Sequence, residues 1–217
     1  MKLYLTSYRI PDIHVLAELV GKEPKNTKVA LIPNGKDYYA PRARQVKIRT
    51  VVQEIKTLGF KVSVVDLNDY HNAPAKLASA LKQFDMLWVM GGNTFCLREA
   101  MQRSGFDVAV HDVLEAGVVF AGESAGACVA GSDLHGIEVL DDAEFAEKVI
   151  WKGLKLVPNF FAPHADNPDF GGLVQQMVKD RGPDPSVVVL NDNQAWVVNG
   201  ADAWKITGVK PDTLSDA

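Results

Sequence analysis

Residues 121 to 131 read AGESAGACVAG and place Ser124 between Gly122 and Gly126. A serine flanked at ±2 by glycine suits one local geometry, a sharp strand-to-helix turn that crowds its second neighbours and presents the hydroxyl. The run before it, GVVFA (117–121), is short, apolar and β-branched, which predicts a buried strand. The small residues after it predict a helix whose positive end meets the hydroxyl. The chemistry offered is nucleophilic attack by Ser124 Oγ.

A serine hydroxyl needs a general base, normally histidine. Of the five histidines, His14 and His111 fall in predicted helices, and His71 in a loop. His164 lies in LVPNFFAPHADNPDF, where an apolar run gives way to a proline-flanked loop. It is the favoured base, with His135 in SDLHGIE second. Attack also requires backbone N–H groups aimed at the developing oxyanion. Ala125, next after the nucleophile, supplies one. A second glycine turn, MGGNTF (90–95), follows another predicted strand and can bring Gly91 or Gly92 close. Asn93 of that turn either caps the helix that follows or faces the substrate. Glu123, beside the nucleophile, either binds a substrate amino group or is an acid near a helix N-terminus. Asn93 and Glu123 are therefore the candidate substrate-binding side chains.

These residues must be positioned by an α/β scaffold. Strand patterns at 2–8, 28–34, 61–67, 85–92 and 117–121 alternate with helical patterns at 11–21, 41–60, 73–84, 93–105 and 106–117. This order predicts a three-layer domain over 1–217, with a mostly parallel sheet and helices on both faces. Both glycine turns then share the rim at the carboxyl ends of the strands, where sites of such sheets lie. AWVV and AWKI, joined by Asn199-Gly200, predict a C-terminal antiparallel hairpin. PDTLSDA (211–217) reads as a loose terminus.

Composition bounds the partners. A net charge of −4 and the absence of a basic face argue against nucleic acid. The one basic run, PRARQVKIR (41–49), fits the solvated face of a helix. No apolar stretch reads as a membrane span, and the N-terminus reads as a strand rather than a leader. Cys96 and Cys128, without a C-x-x-C, fit buried thiols of a cytoplasmic protein rather than a metal site or disulfide. No metal or cofactor is expected.

GGNTF, GESAGA and then Pro163-His164, in that order, resemble the peptidase E (aspartyl dipeptidase) family of serine peptidases, within the class I glutamine-amidotransferase-like fold. The resemblance spans the chain from the first strand to the terminal hairpin. It implies Ser124 as nucleophile, His164 as base, and the N–H groups of Gly92 and Ala125 as oxyanion hole. The family places the triad acid a short way beyond the serine, which implies Glu138, with Asp141 and Asp142 as the other acids in reach. Asp141 and Asp142 also suit the start of a helix over AEFAEKVIW. The implied activity is hydrolysis of short peptides through an acyl-enzyme by a monomer or homodimer. A small ester or amide is the alternative substrate, and a non-catalytic anion-binding module the alternative role. One departure stands out. The aspartyl dipeptidases carry an arginine in a G-E-T-R stretch beyond the histidine. Here only Arg181 follows His164, at the far end of a predicted helix.

Overall fold

A computed structural model describes residues 1–208. The predicted terminus 211–217 lies outside the described residues. The elements run β1 (Lys2–Thr6), α1 (Ile13–Val20), β2 (Lys28–Ile32), α2 (Pro41–Thr57), β3 (Lys61–Val64), α3 (Pro74–Leu81) and β4 (Met86–Val89). Then come α4 (Thr94–Ser104), α5 (Phe106–Glu115), β5 (Val119–Glu123) and α6 (Ala125–Ala130). The described residues continue with β6 (Phe160–Ala162), α7 (Gly171–Arg181), β7 (Val187–Val189), β8 (Gln194–Asn199) and β9 (Asp202–Thr207).

Among the described residues the main sheet has seven strands in the order β3-β2-β4-β5-β1-β8-β9. The first five are parallel, and β8 and β9 add antiparallel at one edge. The β8–β9 hairpin turns at Asn199-Gly200, with Gly200 at φ +65. The mostly parallel sheet and closing hairpin are those predicted.

Alternation along the strands sends apolar side chains to both faces. One face buries Leu3, Ile32, Leu87 and Phe120 under α3 to α6. The other buries Tyr4, Leu31, Trp88 and Ala121 under α1 and α2. Caps fix the helix ends: Asp12 accepts from His14 N and Val15 N, and Gly21 ends α1 in the left-handed region.

Three features depart from the predictions. β6 and β7 form a small parallel sheet of their own, carrying α7 between them. The helix predicted over AEFAEKVIW shrinks to a single 3-10 turn, Ala143–Phe145. Phe145 stays exposed, whereas Ala146 is buried and Ala143, Val149 and Trp151 pack against the same cluster. The basic run also does more than solvate. Within α2, Arg44 pairs with Asp37 at 2.7 Å and Asp66 at 2.6 Å, while Val46 is exposed.

Candidate active site

Ser124 stands between β5 and α6 at φ +50, ψ −109, a conformation non-glycine residues rarely adopt. The surrounding backbone holds it there. Ser124 N donates to Thr6 O at 2.9 Å, and Ser124 O accepts from Ala127 N and Cys128 N. The flanking glycines are steric necessities. A Cβ on Gly122 would lie 2.3 Å from Gly126 O, and one on Gly126 would lie 2.3 Å from Val89 O. The elbow predicted from AGESAGA is therefore present.

His164 follows β6, also at positive φ, with its N–H donating to Ser7 Oγ at 2.7 Å. Its Nε2 is 2.9 Å from Ser124 Oγ, and its Nδ1 is 2.6 Å from Asp192 Oδ1. Asp192 lies in the loop between β7 and β8. It also accepts from Ser7 Oγ at 3.0 Å and from Asn167 Nδ2 at 2.8 Å. Burial pushes its pKa up, but the bonds from Asn167 and His164, the charge of His164 and the Ser7 hydroxyl outweigh this and hold it below the ordinary carboxylate range. Asp192 is thus positioned to stay ionised and to fix the imidazole with Nε2 toward the serine.

Glu138, the acid implied by the resemblance, does not reach His164. It is exposed, and its carboxylate accepts from the Gly136 N–H two residues back. Asp142 caps the 3-10 turn through Glu144 N. Asp141 does reach the cavity, but its Oδ2 accepts from Thr94 N at 3.0 Å and Thr94 Oγ1 at 2.6 Å. Burial raises its pKa despite those bonds and the charges of His164 and Lys36. His135 is turned away, bonded to Asp133 and stacked on Trp151.

Gly92 and Ala125 stand on the same rim. Neither N–H donates to another protein group among the described residues. Gly92 adopts φ +138, and a Cβ there would lie 2.1 Å from Gly35 O. Asn93 caps the helix that follows it. Its Oδ1 caps α4 through Phe95 N and Cys96 N, and its Nδ2 donates to Asp142 O. Glu123 lines the cavity beside Ser124 and, together with Trp88, a second cavity under α2. Burial and the nearby Glu54 push its pKa up to about 7, against Lys36 and the N–H groups of Trp88 and Gly91. Trp88 Nε1 approaches that carboxylate without reaching hydrogen-bond geometry.

The cavity over Ser124 holds about 330 Å³. Tyr8, Pro163 and Phe170 wall the His164 side, and Tyr38, Thr94, Ile137 and Leu140 wall the other. Cys128 also lines it, but burial raises its thiol far above neutrality, so it remains an unreactive thiol. Among the described residues no cluster of His, Cys, Asp or Glu could hold a metal ion, and no helix is long and apolar enough to cross a membrane.

This arrangement can be set beside known proteins. The chain is 26% identical over 149 residues to an uncharacterized peptidase of Listeria monocytogenes, covering 68% of this chain and 72% of that one. It is 28% identical over 160 residues to Peptidase E of Actinobacillus pleuropneumoniae, covering 73% of this chain but only 62% of the relative's length. In three dimensions it is similar to a Listeria monocytogenes protein named after peptidase E, with a TM-score of 0.78, 22% identity and coverage of 95% and 98% of the two chains. That likeness establishes the shared fold. The sequence model of peptidase family S51 matches residues 10–206, from the loop before α1 to the last strand, and so takes in the elbow, His164 and Asp192. The chain belongs to peptidase family S51.

Proposed function

We propose that this protein is a serine peptidase that cleaves short peptides through an acyl-enzyme, with Ser124, His164 and Asp192 as its triad. One observation carries the reading: the unbroken path from Ser124 Oγ to His164 Nε2 at 2.9 Å and from His164 Nδ1 to Asp192 Oδ1 at 2.6 Å. His164 takes the serine proton as Oγ attacks the peptide carbonyl. The oxyanion so formed accepts from the N–H groups of Gly92 and Ala125. His164 then protonates the leaving amine, and the acyl-enzyme forms. A water molecule, deprotonated by the same imidazole, hydrolyses the ester and restores the hydroxyl. Asp192 stays ionised throughout and balances the imidazolium.

The walled cavity of about 330 Å³ favours a short peptide over an extended chain. Glu123 supports binding of a free amino group, since it borders the serine and lies partly buried. The test is a panel of free dipeptides, Asp-X beside Ala-X, Gly-X and Met-X, with Ser124→Ala as control. Turnover should fall on the order of 10⁶-fold in the variant. Cleavage that survives the substitution would remove Ser124 from its role. A wild-type protein that leaves every dipeptide intact would redirect the search to small esters and amides.

A further inference from the structure

The second cavity, between α2 and the sheet, holds about 480 Å³. Strand alternation opens Glu123 onto it. Trp88 and Ala121 pair across β4 and β5 and point toward α1 and α2. Glu123 stands two residues beyond Ala121, so its side chain leaves β5 on that same face. Trp88 Nε1 lies buried beside its carboxyl without a hydrogen-bond partner.

The facing wall belongs to α2. Val51, Glu54, Ile55 and Leu58 recur at the spacing of one helix face, and all four line the cavity. Packing alone would make all four apolar. Glu54 instead turns a second acid toward Glu123, near enough to push its pKa up. Among the described residues Arg9 is the one lysine or arginine of the wall. Its guanidinium stands 5.4 Å from the Tyr8 ring centroid and forms no ion pair among those residues. Two acids that face one cavity repel each other, and a cation placed between them removes that cost. A simple cation would leave Arg9 unmatched, and a simple anion would meet both acids. The wall suits a molecule that carries both charges on an apolar body.

We propose that this cavity is a second binding site, apart from the one over Ser124, for a free amino acid with an apolar side chain. The ammonium of that amino acid lies between Glu54 and Glu123, and its carboxylate meets Arg9. Its side chain rests on Val51, Ile55 and Leu58, with Ile10 beside them. Leucine is the natural probe. The site does not depend on hydrolysis at Ser124.

Calorimetric titration tests it without requiring turnover. Leucine, leucinamide, N-acetylleucine and glycine are titrated into the wild-type protein, Arg9→Met and Glu123→Gln. Leucine should bind the wild type about tenfold or more tighter than the other three, since each lacks one charge or the apolar side chain. Arg9→Met should weaken leucine about tenfold and leave leucinamide unchanged. Glu123→Gln should weaken leucine and leucinamide alike and spare N-acetylleucine. Arg9 is exposed and glutamine keeps the shape of Glu123, so neither change threatens the fold. Arg9 does not line the cavity over Ser124, so its effect locates the ligand. A leucine affinity untouched by Arg9→Met would place the ligand elsewhere and overturn the site. So would equal binding of leucine, leucinamide and N-acetylleucine, or no heat from leucine at millimolar concentration. A protein that cleaves no dipeptide but binds leucine in this pattern would sink the peptidase reading and leave the site standing.

Discussion

His164 is held from both ends of the chain: Ser7 Oγ accepts its backbone N–H, and Asp192 accepts from its ring. Removing the charge on Asp192 while keeping its shape should therefore be costly. Asp192→Asn is expected to lower kcat roughly 10⁴-fold, because the amide no longer selects the productive tautomer. Glu138→Gln should leave kcat within a factor of two or so, since a surface carboxylate bonded to its own loop is remote from the imidazole. Steady-state assays of the two variants decide between the acids. Glu123 makes a pH prediction. Its pKa rises from 4.5 to about 7 on folding, so between those values the folded state binds the proton that the unfolded state has lost. Stability contributed by this site therefore falls as pH rises through that window, and the penalty is complete above pH 7. Glu123→Gln should gain on the order of 3 kcal/mol relative to wild type at pH 8 and little at pH 4. Urea midpoints at both pH values would show it, and a gain equal at both would refute the cause.

At the scale of elements, the elbow was legible because its constraint is local. Gly122 and Gly126 are demanded by backbone atoms 2.3 Å from where their Cβ atoms would stand, and such a demand leaves its mark within five residues. Gly126→Ala should cost more than about 3 kcal/mol or prevent folding, since backbone rather than a pliable side chain blocks the methyl. Chemical denaturation of the soluble fraction measures it. His164 was legible too, from the apolar run leading to a proline-flanked loop. Asp192 was not. It reaches the imidazole only because the small sheet carries the His164 loop toward the β7–β8 loop, and nothing in Asn191-Asp192-Asn193 distinguishes it from an ordinary turn. Arg44 was misread for a similar reason: its carboxylate partners lie in two other loops.

Among the described residues, a main sheet holds Ser124 and a two-stranded sheet presents His164. Arg181 helps to join them, bonding the segment around Asp133 to the end of α7 while lying 3.8 Å over the Phe160 ring. Arg181→Ala should cost about 2 kcal/mol. It should also lower kcat more than it raises KM, because it loosens the loop that carries His164 without entering the substrate cavity. Thermal melts with parallel kinetics would test this, and an unchanged melting point would place the joint elsewhere. The alternation of strands and helices gave away the main sheet, whereas three-residue strands are too short to announce the second.

Asp192 has a further consequence in the order of synthesis. Ser124 and His164 emerge from the ribosome before Asp192, and β8, which fills the sheet beside β1, emerges later still. A nascent chain therefore carries Ser124 and His164 before the acid of the proposed triad, and full hydrolytic power would await the strands that follow it. A product truncated before this loop should therefore lack the aligned imidazole that the proposed triad needs, however well its elbow has formed.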